Sequence, residues 1–426
     1  MRRVLIITRH NSYRTAAFVE AAQRLRTHLV LAADGPVGVI AGARQDGILI
    51  DMNDIPKAAR YLKDVLSACP PNAVLATDDS TTELAAEVAA AFGHASNTPD
   101  AVRAARRKDI TRQRLLEAGL RCPAFTPIAL DKPIAAQIDV VRYPCVIKPV
   151  SLSASRGVIR ADSAQELYSA AQRLREILAR ETIGETMNMA LVEDFIAGFE
   201  VALEGVVDAG SLHVLTIFDK PDPLNGPYFE ETYYITPSRL DAGVQTMIGQ
   251  LVENACKALG LRSGPIHAEC RINADGVWLL EIAPRTIGGD CGRLFQMLMG
   301  LSLEELVLRH AIGDHLDRRE SSCAAGVLMI PVREGGILRR VEGVSEAGQV
   351  AFVEDLVINA REGQALTPWP EGCAYPGFIF AKAPAPKLVE EALRRANSCL
   401  RFVVAPQLPV TTVPVTAGLP TVSDSH

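Results

Sequence analysis

The chain has 426 residues and sets 44 lysines and arginines against 50 aspartates and glutamates, a formal charge of −6, so it lacks the general basic footprint of a nucleic-acid-binding protein. Its nine cysteines are scattered without a Cys-x-x-Cys pair, and no apolar run approaches the roughly 20 residues of a membrane span, which points to a reduced, cytoplasmic protein with neither nucleic acid nor membrane as partner. The length exceeds what one core accommodates, so about two to four structural units are expected.

The start, Met1-Arg2-Arg3 followed by Val4–Thr8, has the charged end of a signal peptide, but its apolar run is cut short by Arg9-His10-Asn11. Instead the first hundred residues alternate apolar runs with helical periodicity, as an α/β layer with a parallel sheet does. Strands are expected at Val4–Thr8, Leu29–Ala32 and Ala73–Ala76, and helices at Thr15–Arg26, Ile55–Ala68 and Thr81–Phe92, the last capped by Ser80 or Thr81. This unit, residues 1–98, is Rossmann-like, yet Thr8-Arg9-His10-Asn11-Ser12 stands where a dinucleotide-binding domain has Gly-x-Gly-x-x-Gly.

After the linker Gly93–Pro99 comes a basic helical stretch, Arg103–Asp109, and a helix that ends at Ala118-Gly119. A strand is expected at Tyr143–Pro149, then the polar loop Val150–Val158, then an amphipathic helix at Ala164–Ala179. Strands follow at Leu191–Ile196, Glu200–Val207 and Leu212–Phe218, with a helix at Val244–Leu259. Beyond Ser321 short β-like runs such as Gly326–Pro331 and Gln349–Phe352 accompany a helix at Pro386–Ser398, and the tail, residues 406–426, is expected to be flexible.

The hairpin Pro265–Asn273 and Val277–Ala283, joined by Ala274-Asp275-Gly276, carries the most chemistry. A three-residue loop would pair Asn273 with Val277 and set Glu269 directly opposite Glu281. Opposed like charges are destabilising unless a cation lies between them, and paired hard oxygen ligands suit Mg²⁺ carrying a nucleotide's phosphates. The plainer alternative is a pair of solvated acids on an exposed strand face. Against it, Arg285 follows on the same side by strand alternation, and Gly288-Gly289 come next.

These segments, in this order and spacing, resemble an ATP-grasp enzyme, and within that superfamily the carboxylate-amine ligases of the L-amino acid ligase kind. Lys108 opens a helix followed by Ala118-Gly119 and Pro123, and Lys148 ends an apolar strand before Pro149; the resemblance makes both ATP-phosphate ligands, although Lys108 also reads as a solvated helix face. Ser151, Ser153, Ser155 and Gly157 stand in the family's small-residue phosphate loop, where the second glycine expected near Ala154 is absent and Arg156, just before Gly157, could itself meet a phosphate. Leu191–Glu200 is similar to the hinge strand, so Glu193 and the backbone of Asp194, Phe195 and Ile196 would meet the adenine edge, and Glu200 the ribose hydroxyls.

Glu269 and Glu281 would then ligate two Mg²⁺ ions, with Mn²⁺ able to substitute; Ala283 stands where the family often has Asn. The segment Asn225–Ser238 resembles the one in which a glutamate meets a substrate α-ammonium, here Glu231, with Tyr234 in place of the usual His. Arg285, Gly288 and Gly289 would hold the carboxylate and the tetrahedral intermediate, Arg285 and Lys148 being catalytic.

The implied fold is α/β, with an N-terminal Rossmann-like domain at 1–98, two α+β grasp subdomains at 99–190 and 191–320, and a small β-rich domain at 321–405. The implied function is an ATP-dependent carboxylate-amine ligase that forms an amide through an acyl phosphate and releases ADP and phosphate. Its partners would be a small carboxylate and an amine, and a homodimer is left open. The alternatives are a purine-pathway ligase of the glycinamide ribotide synthetase type and a non-catalytic ATP-binding protein on the same fold.

Overall fold

The computed structural model describes residues 2–36, 45–181, 188–314 and 321–407. The tail from residue 408 and its expected flexibility therefore lie outside the described residues.

Val4, Leu5, Ile6 and Ile7 are wholly buried because Arg3–Thr8 is an inner strand of a parallel sheet covered on both faces, and such strands read as continuous apolar runs. It lies between His28–Ala33 and Ala73–Ala76, all parallel, and a fourth strand, Gln45–Leu49, pairs parallel with the outer side of His28–Ala33. That edge strand has no counterpart among the expected elements: Gln-Asp-Gly-Ile-Leu offers neither an apolar run nor clean alternation, and its pairing partner forms it. The helix expected from Thr81 starts two residues earlier, at Asp79, with Asp78 as N-cap. Neither Ser80 nor Thr81 is the cap; the Thr81 hydroxyl instead accepts from the Asp78 N–H at 3.2 Å.

The basic stretch is two helices, Pro99–Arg106 and Lys108–Glu117, broken at Arg107, which is extended at φ −91° and ψ 101°. The break puts Lys108 at the head of the second helix, where its N–H bonds the Val150 carbonyl at 2.9 Å and ties it to the start of the polar loop. A four-stranded antiparallel sheet follows, in the order Phe125–Ala129, Met189–Asp194, Cys145–Pro149 and Ile159–Ala161. The helix Ala164–Leu178 covers it through Leu167, Ala171, Leu174 and Leu178.

Opposite stands an eight-stranded sheet running Gly276–Ala283, Gly264–Asn273, Phe199–Asp208, Ser211–Lys220, Tyr233–Thr236, Ala324–Met329, Gly377–Ala383 and Val353–Ile358. The last three strands come from beyond residue 321, so the C-terminal region extends the central sheet; Gly336–Glu342, Ala365–Leu366 and Arg401–Ala405 form a separate three-stranded sheet. The β-like run expected at Gln349–Phe352 is a turn after the short helix Val344–Gly348, and Phe352 sits in the left-handed region at φ 73°. The strand begins only at Val353.

The metal-reading hairpin forms with Glu269 opposite Glu281, by a different route from the expected one. The turn is tighter, pairing Asn273 with Gly276 and Ile272 with Val277, which alone would shift the register by one. A β-bulge compensates: Cys270 faces Leu279, Glu269 faces Glu281, and Leu280 is the extra residue.

Gly198, at φ 141°, lets the chain turn from Met189–Asp194 into Phe199–Asp208 directly against the hairpin; a Cβ there would run into the Ile272 carbonyl oxygen. Gly198→Ala is expected to lower unfolding free energy by about 2–4 kcal/mol, measured by urea denaturation, since it adds backbone strain to a clash with main chain that cannot move aside.

Candidate functional site

A cleft opens between the two central sheets. Its walls include Val146, Leu152, Val158, Phe195, Ile196, Phe229 and Leu280, and its polar lining includes Lys108, Lys148, Ser155, Glu193, Asp194, Glu200, Glu269, Arg271 and Glu281. Apolar faces with a few fixed charges suit a flat base and its phosphates. Lys108, Lys148, Ser155, Glu193, Asp194, Phe195, Ile196, Glu200, Glu269 and Glu281 all line it, while Ser151, Ser153 and Gly157 lie in the adjoining loop. Glu231, Tyr234, Arg285, Gly288 and Gly289 lie outside this lining.

The charges along the cleft are paired with one another. Lys108 donates to the Leu152 carbonyl at 2.8 Å and stands 3.6 Å from Glu281. The Glu193 carboxylate, 3% exposed, is engaged by Lys148 at 2.6 Å and Arg112 at 2.8 Å. Burial pushes the Lys148 ammonium below its ordinary value, against the opposing pull of Glu193. In the hinge the Phe195 N–H bonds Pro144, and the Ile196 carbonyl accepts from Arg271 at 2.6 Å.

Deeper in, Lys220 is the centre of the site. Its ammonium, 3% exposed, lies 2.9 Å from Glu200, 2.5 Å from Glu231 and 2.9 Å from Glu269, with the Tyr234 ring 5.1 Å away. Glu200 also receives Arg271 at 2.7 Å. Ligand oxygens of Glu200, Glu231 and Glu269 lie within 4.8 Å of one another, close enough to share a cation, and here the cation among them is the lysine.

Burial would depress Lys220, but the three glutamates hold it well above its ordinary value. Burial opposes ionisation of Glu269, yet Lys220 and His267 keep it well below the usual carboxylate range. Burial and then the neighbouring Glu269 charge push Glu231 up to about 7. His267 lies 3.6 Å from Glu269 on one side and 3.4 Å from Glu204 on the other.

Arg285 is held from the N-terminal sheet: its Nε lies 3.0 Å from Asp79, at the head of the Asp79–Ala91 helix. Glu204 accepts from the Ile287 N–H at 3.1 Å and so fixes the loop that leads to Gly288 and Gly289. A Cβ on Gly288 would come 3.3 Å from Arg14 and 3.6 Å from the Tyr13 hydroxyl, and one on Gly289 would strike the Met329 sulfur. Arg156 does not turn to the cleft. It pairs with Glu181 at 2.6 Å and donates to the Glu371 carbonyl at 3.0 Å, because these acceptors lie on the outer side of the loop.

Lys220, Asp79, Arg112, Glu204 and His267 are the partners that reading the sequence did not single out. For Lys220 the signal was present: Phe218-Asp219-Lys220-Pro221 repeats the pattern of Val146-Ile147-Lys148-Pro149, a charge ending an apolar strand before proline. Asp79 gave none, since its partner is 206 residues away.

Comparison with known proteins adds family and fold. Residues 141–293 match the ATP-grasp domain, and residues 328–405 match the L-amino acid ligase C-terminal domain 2. The uncharacterized protein y4rH of Sinorhizobium fredii is 25% identical over 417 residues, covering 95% of this chain and 84% of that protein. Dapdiamide A synthase of Enterobacter agglomerans is 28% identical over 162 residues, only 38% of this chain and 37% of that protein. In fold the chain is similar to the crystal structure of L-amino acid ligase from Bacillus licheniformis, with a TM-score of 0.83 and 24% identity over 95% of this chain and 99% of that one.

Lys220→Met would leave Glu200, Glu231 and Glu269 buried without their shared cation, at an expected cost of about 3–5 kcal/mol. Protons would then neutralise the acids more readily in the folded than in the unfolded chain, so the native state binds the extra protons and its stability falls as pH rises. The deficit, read from urea denaturation, should therefore be larger at pH 8 than at pH 5.5.

Proposed function

We propose, on the match of residues 141–293 to the ATP-grasp domain and of 328–405 to the L-amino acid ligase C-terminal domain 2, that the chain joins the carboxylate of one amino acid or amino-acid-like acid to the amine of another. The γ-phosphoryl group of ATP passes to a carboxylate oxygen, ADP leaves, the amine nitrogen then attacks the acyl carbon, and the C–O bond to phosphate breaks as the amine loses a proton. The observation that carries this reading is the cleft itself, where two lysines and two opposed glutamates meet apolar walls of a size for a nucleotide.

In this proposal Val146, Leu280 and the Asp194–Ile196 hinge flank the base, and Glu200 lies toward the ribose. Lys108 and Lys148 meet phosphate oxygens, enclosed by the loop bearing Ser151, Ser153, Ser155 and Gly157. Both lysines now rest on acids, Lys108 near Glu281 and Lys148 on Glu193, so a phosphate chain arriving there replaces one anionic partner by another. Glu269 and Glu281 are hard oxygen donors of the type Mg²⁺ takes, and they fit it; two Mg²⁺ ions, or Mn²⁺ in their place, would neutralise the phosphates when bound.

Arg285, oriented by Asp79, holds the acceptor carboxylate and the negative charge that develops on it, with the Gly288-Gly289 backbone beside it. Glu231, beside Tyr234, receives the α-ammonium of an amino-acid substrate. The match of residues 328–405 to an L-amino acid ligase domain favours this reading over a purine-pathway ligase. The non-catalytic alternative has Ala283 in its favour, but Glu269, Glu281 and Arg285 are all present for turnover.

Incubation with ATP, Mg²⁺ and paired amino acids should release ADP and phosphate in step with a new amide mass; AMP and pyrophosphate would overturn the proposal, and bound but unconsumed ATP across the whole panel would favour the non-catalytic alternative. Glu281→Gln should abolish turnover while circular dichroism stays that of the wild type, and wild-type activity in that variant would remove the metal assignment. Because Glu231 is charged only above about pH 7, kcat/KM for the substrate bearing the ammonium should fall as pH drops below 7, and Glu231→Gln should lack that limb while being slow throughout.

A further inference from the structure

Within the phosphate loop, Ala154 and Ser155 are consecutive non-glycine residues at φ 57° and 53°, a backbone state that side chains disfavour and that persists only where the surroundings hold it. What holds it is a second loop, Thr367–Pro376, from the C-terminal region. Trp369, 4% exposed, donates its indole N–H to the Ala154 carbonyl at 3.0 Å. Pro370 accepts from the Gly157 N–H at 3.0 Å, and the Glu371 carbonyl accepts from Arg156 at 3.0 Å. The Glu371 carboxylate is gripped by Arg173 through Nε at 2.5 Å and Nη2 at 2.8 Å, which anchors this second loop on the helix behind the sheet.

The same loop reaches the substrate side. The Trp369 ring lies 4.9 Å from Tyr375, which packs against the cluster containing Tyr234, Cys291 and Met329. Tyr375 also responds to the charges of Glu231 and Glu230, behind the larger effect of its burial. Contacts therefore run from the strained turn of the phosphate loop through Trp369 to Tyr375, whose hydroxyl lies within electrostatic reach of Glu231.

We propose that Thr367–Pro376 is a latch for the phosphate loop, and that Trp369 is its positioning residue, holding Ala154 and Ser155 in the closed turn and linking that turn to Tyr375. Trp369 acts through the loop and touches no reacting atom. For its chemical consequence the inference rests on the ligase reading: a phosphate loop that closes only with the latch keeps water from the acyl phosphate until the amine attacks.

Amide hydrogen exchange on the full chain tests it without knowledge of the substrates. Trp369→Phe keeps a ring against Tyr375 and removes the N–H. In this variant amides of residues 153–158 should exchange about fivefold faster than in the wild type, the ratio that one ordinary hydrogen bond corresponds to, while those of Cys145–Pro149 stay as they were. Glu371→Gln, which weakens the grip of Arg173, should loosen the same amides and serves where the first variant folds poorly. Unchanged exchange at 153–158 in both variants overturns the latch.

Adding MgATP to the wild type separates the two readings. Protection of 151–158 is expected; a wild type indifferent to MgATP sinks the ligase reading and leaves the latch comparison standing. With substrates in hand, Trp369→Phe should consume more than one ATP per amide formed, and strict one-to-one coupling would remove the proposed consequence.

Discussion

One ammonium makes the centre of this molecule possible. Glu200 and Glu269 come from two strands and Glu231 from the segment just before Tyr233–Thr236, and the three converge in a buried space, where their mutual repulsion would drive them apart or protonate them. Lys220 lies against all three, and Arg271 takes the remaining side of Glu200. Unequal titration follows from unequal company. Glu269 has both Lys220 and His267 and stays ionised against its burial, whereas burial and then the charge of Glu269 push Glu231 up to about 7. Glu269, a member of the opposed pair, is thus kept as a standing anion, while Glu231 is set close to neutrality.

The sequence made local things legible and left long-range things dark. The strand Arg3–Thr8 is found where its apolar run placed it, because burial on both faces leaves a plain record. The opposition of Glu269 and Glu281 was reached through two departures that cancel, a tighter turn and a bulge at Leu280. The bulge has a visible use: the Leu280 carbonyl, as part of the extra residue, accepts from the buried Arg112. Arg156 illustrates the opposite failure. A basic residue in a phosphate-type loop reads as a phosphate ligand, but its partners Glu181 and Glu371 lie on other segments and draw it outward. Lys220 was missed although its local pattern matches that of Lys148, since its meaning lies in three acids that come from elsewhere in the chain.

The C-terminal region shows how topology, rather than composition, decides what a segment does. By sequence it is a small unit of β-like runs; in the structure Ala324–Met329 pairs with Tyr233–Thr236, so the sheet that bears Glu269 continues without a break into Gly377–Ala383. A rigid sheet therefore connects the wall carrying the acids to the base of the loop that holds Trp369 and Tyr375.

The N-terminal sheet enters the site by a similar economy of contact. No strand joins it to the central sheets among the described residues, yet Asp79 sits in the first turn of its helix, where the helix N-terminus favours an anion, and it accepts from the buried Arg285. Arg285 needs such a partner: a buried guanidinium without an anion is costly, and Asp79 together with Glu281 keeps it charged against that burial. Glu204 then fixes the following backbone at Ile287 and leaves Gly288 facing Tyr13 and Arg14. The setting of Arg285 is therefore built by two regions at once, the guanidinium from one and its orienting carboxylate from the other. A shift of the N-terminal sheet by even an ångström would move Asp79 and with it the guanidinium it orients, so the separation of these regions in sequence is no measure of their independence in the structure.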